Sequence, residues 1–127
     1  MSLRRLILVI LGGTLGTAAR LALALFIPDA GGFPVATFVV NIIGALFIGV
    51  LAARLPGSSE LRVLLGTGLL GGFTTYSAFA VGTVTLWSDA PLVAAAYAAL
   101  SLGLGVGSAA LGLHLGRSGT AVRRSAK

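Results

Sequence analysis

Charge in this chain lies at its two ends and in narrow gaps between long apolar runs, with Arg20 the one exception. The runs cover about 6–26, 33–53, 63–87 and 91–115, and the gaps are 27–32, 54–62 and 88–90. Each run is close to the ~20 residues that a helix needs to cross ~30 Å of hydrocarbon. None carries the polar stripe that a helix in a soluble bundle presents to water. The pattern therefore predicts an all-α integral membrane protein, a single transmembrane domain over 1–127 with four transmembrane helices. Pro56-Gly57-Ser58-Ser59 reads as a turn between the second and third spans. A cleaved signal peptide fits the first run poorly, because three more spans follow it and Arg20 sits late within it.

The third run is the least regular. It has no charged residue between Val63 and Trp87, yet its middle reads Gly71-Gly72-Phe73-Thr74-Thr75-Tyr76-Ser77. Two glycines support a helix weakly. Thr74, Thr75 and Ser77 can turn their hydroxyls onto nearby backbone groups and compete with helical hydrogen bonds. The expectation is a third helix broken at its centre. Lipid cannot satisfy the backbone groups that such a break frees, so they must face protein, water or an ion. Exposed carbonyls suit a small hard cation such as Na⁺, whereas N–H groups at the start of a half-helix suit an anion. A kink that only shapes packing is the plainer alternative.

Composition agrees with a membrane location. Hydrophobic residues make up 57% of the chain and charged residues only 9%, against about 25% charged in ordinary soluble domains. Cysteine is absent, which removes disulfides, zinc-thiolate sites and thiol catalysis. With four spans, Arg4, Arg5, Arg54, Arg62, Arg117, Arg123, Arg124 and Lys127 share one side with a single Glu60, and the other side's loops hold Asp29 and Asp89. The positive-inside rule makes the basic side cytoplasmic, with both termini there. The net charge of +6 is then topology and attraction to anionic membrane lipid. It is not a nucleic-acid surface, since no basic patch is interleaved with aromatics.

Few polar groups lie at membrane depth. Arg20 falls about 21 Å along the first helix from Leu6, within snorkelling reach of the far headgroups. It is either an interface anchor or a charge that attracts an anion or locks helices at a pore mouth. Asn41 has Gly44 and Ala45 three and four residues on. That face can pack tightly against a neighbour or line a narrow pore. Tyr76 and Phe79 fall on one face if helix resumes after the break. They pack together or present electropositive ring edges to a small anion. Gly12 and Gly16, and the small residues from Ser101 to Gly112, read as close helix-packing surfaces. A membrane hydrolase would need a nucleophile and base or a metal set, and none is assembled, so the chain does not read as an enzyme.

Three segments, Gly12-Gly13-Thr14-Leu15-Gly16-Thr17-Ala18-Ala19-Arg20, Thr37-Phe38-Val39-Val40-Asn41-Ile42-Ile43-Gly44 and Gly71-Gly72-Phe73-Thr74-Thr75-Tyr76-Ser77-Ala78-Phe79, occur in an order that resembles the Fluc/CrcB family of small four-span fluoride ion channels. The resemblance covers nearly the whole chain. It implies an antiparallel, dual-topology dimer in a prokaryotic cell membrane, with two pores along the subunit interface that export fluoride passively. It implies roles for Arg20 near the cytoplasmic vestibule, Asn41 as an amide contact to the anion, and Tyr76 and Phe79 as ring-edge aromatics. Thr75 and Ser77 match polar positions along the pore. Gly71 and Thr74 match positions whose carbonyls hold a structural Na⁺ at the dimer centre. Two residues depart from the family pattern: Tyr76 stands where Phe is usual, and Ala78 where Thr or Ser is common.

The one-sided charge bears on assembly. An antiparallel homodimer needs one subunit in each orientation, and this chain's basic residues favour one. The expectation is pairing with an oppositely oriented homologue, with this subunit supplying part of each pore. Two other readings remain: a non-conducting partner subunit, and a small cation-coupled multidrug exporter. The exporter would want a carboxylate within a span, and the four runs contain none.

Overall fold

The computed structural model describes residues 2–125, with side chains up to Ser118. Arg123, Arg124 and Lys127, which belong to the basic side by sequence, lie outside the described side chains. The described chain is helical almost throughout. Helix α1 (Leu3–Phe26) starts from Ser2 and α2 (Val35–Arg54) follows a tight turn. In that turn Gly31 (φ 59°) and Gly32 (φ 84°) take the left-handed backbone that side chains disfavour, and Ala30 and Phe33 exchange backbone hydrogen bonds of 3.1 and 3.0 Å.

The third span is a composite. Helix α3 (Glu60–Arg62) is capped by the Ser59 hydroxyl, which accepts from the Arg62 N–H at 3.2 Å. It runs into a π-helical stretch, Val63–Leu70, then one further turn, α4 (Gly71–Phe73). After Thr74 and Thr75 the chain resumes as α5 (Tyr76–Asp89). Helix α6 (Pro91–Ser125) opens with proline, which has no N–H to leave unpaired in a first turn. Four helical runs, Leu3–Phe26, Val35–Arg54, Glu60–Asp89 and Pro91–Ser118, are long and apolar enough to cross a bilayer.

The break differs from the sequence expectation in extent. The glycine and hydroxyl residues span 71–77, but only Thr74 (ψ 156°) and Thr75 (φ −148°, ψ 121°) leave the helical region. Gly71 is helical, at φ −63° and ψ −35°. Gly72 serves close approach rather than an unusual dihedral: a Cβ there would collide with the Gly13 carbonyl.

Two glycine seams set the packing. On α1, Gly12 and Gly16 leave no room for a Cβ against the Leu64 and Leu69 carbonyls of the π-helical stretch. Between α2 and α6, Gly49 meets the Ala109 carbonyl and Gly112 meets the Leu46 carbonyl. Removing Cβ atoms lets backbones approach closely where lipid supplies no hydrophobic drive for helices to associate. A small aromatic core lies toward the acidic end. Tyr97 is fully buried beside Leu86 and Ala94, and Phe33, Phe38 and Phe79 pack around it.

Candidate functional site

The break is held open by Asn41. Its Nδ2 donates to the Thr75 carbonyl at 2.9 Å, and its Oδ1 accepts from the Thr75 N–H at 2.8 Å. One side chain thus replaces both hydrogen bonds that Thr75 forfeits by leaving the helix. The pairing also fixes the amide's orientation, because only one assignment of O and N satisfies both contacts. One N–H of the amide is left over. Gly44, one turn on from Asn41, makes the geometry possible: a Cβ there would clash with the Thr74 methyl.

Each side of the break is capped. Thr74 donates through its N–H and its hydroxyl to the Leu70 carbonyl, both at 2.9 Å. Thr75 Oγ1 accepts from the Ala78 N–H at 3.2 Å and lies 3.1 Å from Ser77 Oγ, so it caps the start of α5. Among the described residues, the carbonyls of Gly71 and Thr74 accept no hydrogen bond. The N–H groups of Tyr76 and Ser77, in the first turn of α5, point toward the break with no intrahelical acceptor.

A cavity of about 280 Å³ opens at this point. Asn41, Thr74, Thr75, Tyr76, Phe79 and Ser101 give it polar and aromatic walls, and Ala45, Ile48 and Leu102 close its apolar side. The Tyr76 and Phe79 rings lie 5.8 Å apart at 47°, and Phe79 lies 5.5 Å from Tyr97. Tyr76 is 79% exposed, so the cavity is open along one flank of the molecule. A passage of this kind offers one amide N–H, several hydroxyls and ring edges, with no fixed charge on its walls. That set can solvate a small anion without trapping it.

The sequence matches a family model described as CrcB-like protein, Camphor Resistance (CrcB), over residues 7–113. The chain belongs to the CrcB family. It is 45% identical over 122 residues to a Mycobacterium bovis protein named Fluoride-specific ion channel FluC 1, covering 88% of this chain and 86% of the relative. A Novosphingobium aromaticivorans protein named Fluoride-specific ion channel FluC is 45% identical, with 86% of this chain and 93% of the relative covered. Fluoride-specific ion channel FluC 2 of Leifsonia xyli is 42% identical, with coverage of 89% and 83%. The four apolar helices and these relatives make this CrcB protein a multi-pass membrane protein.

Of the residues singled out in the sequence, the fold brings Asn41, Thr74, Thr75, Tyr76 and Phe79 around one cavity. Ser77 touches it only through Thr75, and Gly71 stands outside on an exposed turn. Arg20 is elsewhere. Helix side chains lean toward the N-terminus of their helix, and the half-buried Arg20 reaches Gly72, donating from Nε to its carbonyl at 3.2 Å. Of the readings open in the sequence, a contact between helices is the one this bond supplies.

One hydroxyl residue of the cavity, Ser101, and the buried Tyr97 one helical turn before it are not singled out as functional by the sequence. By sequence Ser101 reads only as a small packing residue, and Tyr97 carries no motif. Both hydroxyl oxygens are buried, Ser101 is a polar neighbour of Tyr97, and Ser101 lines the cavity. The available signal is their spacing: hydroxyls four residues apart stand on one helical face.

Proposed function

We propose that this chain is a subunit of a fluoride-selective channel that lets fluoride leave the cytoplasm passively. The observation that carries the reading is the break at Thr74–Thr75, clamped by Asn41 against an uncharged, largely apolar cavity at mid-span that carries a few hydroxyl and amide groups. A fluoride ion passing here would take the remaining Asn41 N–H and the Thr75 and Ser77 hydroxyls. The edges of Tyr76 and Phe79 would replace water on its other sides. The names of the relatives agree with fluoride as the ion and with a channel rather than an enzyme.

A structural Na⁺ fits the same break. The free carbonyls of Gly71 and Thr74 are hard oxygen donors of the type that small hard cations take. A bound Na⁺ would neutralise carbonyl dipoles that lipid cannot. Two carbonyls from one chain are an incomplete shell, and an antiparallel second subunit would complete it. Such a partner would also cover the open flank beside Tyr76.

The charge distribution favours an oppositely oriented homologue as that partner. Arg4, Arg5, Arg54, Arg62 and Arg117 stand at one end, and Asp29 and Asp89 at the other. The pull of the membrane potential and of anionic lipid would then fix both termini in the cytoplasm. Fluoride efflux from liposomes tests both readings. A self-sufficient channel empties vesicles that hold this chain alone. A half-pore subunit does so only when reconstituted with its homologue. Absence of fluoride flux in both preparations would refute the channel reading.

A further inference from the structure

Arg20 and Thr17 converge on one atom. Arg20 Nε donates to the Gly72 carbonyl at 3.2 Å, and Thr17 Oγ1 does so at 3.4 Å. Gly72 is the penultimate residue of α4, the last helical turn before the break. Its carbonyl is one of those that a helix C-terminus leaves without an intrahelical partner. Helix α1 holds these donors in register because Gly72 lies against the Gly13 backbone with no space for a Cβ of its own, and Gly16 lies against the Leu69 carbonyl and the Phe73 amide nitrogen. Arg20 has no carboxylate partner among the described residues, and it does not line the cavity.

We propose that Arg20 is a positioning residue whose working group is its Nε–H: with Thr17 it caps the first half of the third span and fixes where Thr74 and Thr75 leave the helix. Its charge is secondary. The cap holds the Gly71–Phe73 side of the break as Asn41 holds the Thr75 side, so the two clamps between them set the position of the cavity wall. The proposal rests on the broken span being the ion path, but it makes a structural prediction independent of which ion passes.

Two substitutions separate bond from charge. In Arg20→Gln the amide nitrogen sits as many bonds from the backbone as Nε does, so the donor survives and the charge is lost. In Arg20→Lys the charge survives and a methylene replaces the donor. Amide hydrogen exchange of the full chain in lipid nanodiscs reads the break directly at Thr74, Thr75 and Ala78. The cap predicts that Gln stays within about threefold of the parent, while Lys and Arg20→Ala exchange at least about tenfold faster, since a lost bond of this kind shifts local opening by that order. Fluoride efflux measured alongside should rank the variants the same way, at low and high salt alike. If Lys keeps protection and efflux while Gln loses both, or if efflux of Gln falls only at low salt, Arg20 acts as a charge at the pore mouth and the proposal fails. If Ala leaves exchange unchanged, the contact positions nothing and the proposal also fails. Absence of efflux in the parent, both alone and with its homologue, would refute the channel reading, while the exchange data would still decide the cap.

Discussion

At the residue scale, Asn41 is a clamp on the backbone. It satisfies both backbone groups of Thr75, and a buried polar group left unpaired costs about 1–3 kcal/mol. Asn41→Ala is therefore expected to lower thermal stability by that order and to reduce fluoride efflux at least about tenfold. Loss of efflux with an unchanged melting temperature would restrict Asn41 to contact with the ion. Gly44 supports the same point from below. Gly44→Ala drives a Cβ into the Thr74 methyl, an overpacking worth about 1–3 kcal/mol. Thr74→Ser removes that methyl and keeps the hydroxyl bond to Leu70. The double variant should recover most of the stability lost by Gly44→Ala, and additive losses in a thermal-melt cycle would contradict the contact.

At the element scale, the two glycine seams and the π-helical stretch act together. The π geometry lets the Gly71 N–H bond back to the Gly66 carbonyl, five residues earlier. Such stretches are rare and concentrate at functional sites. This one lies against α1 along Gly12 and Gly16, so α1 serves as a template for the half-helix that leads to the break. Gly16→Ala must displace the Leu69 backbone and is expected to cost at least about 1–3 kcal/mol. Gly103 on α6 faces open space, with no atom within 4 Å of where a Cβ would sit. There alanine should stabilise the free subunit, by about 0.5–1 kcal/mol through helix preference. Unfolding in detergent compares the two. Equal effects would mean that the α1 seam is looser than the structure shows.

At the scale of the whole molecule, each span is mostly exposed. Only 11–22% of the residues in the best apolar window of each are buried. Lipid can cover most of that surface, but not the polar break, and this is the physical reason to expect a protein partner on that flank. The positive-inside rule predicts that the basic end faces the cytoplasm. The cysteine-free chain permits a clean test with single cysteines at Ser58 and Ser88. An impermeant thiol reagent added to intact cells should label Ser88→Cys, and should label Ser58→Cys only after permeabilisation. Equal labelling of both positions would show insertion in two orientations and favour a self-paired dimer.

The four spans, their ends and their charge bias are legible in the linear order of residues, because span length and arginine placement are properties of a segment by itself. The presence of a weak point near Thr74 and Thr75 is legible too, since glycine and hydroxyl residues disfavour helix locally. Other features depend on through-space neighbours. Gly72 is packed against Gly13 of α1 in a helical turn, and the π-helical stretch leaves no period to read in a uniformly apolar Val-Leu-Leu-Gly-Thr-Gly-Leu-Leu. Asn41 and Thr75 are 34 residues apart, and Arg20 and Gly72 are 52 apart. Only packing could choose which carbonyl Arg20 would meet. An unpaired donor within lipid takes the nearest exposed acceptor, and tertiary structure alone decides which that is.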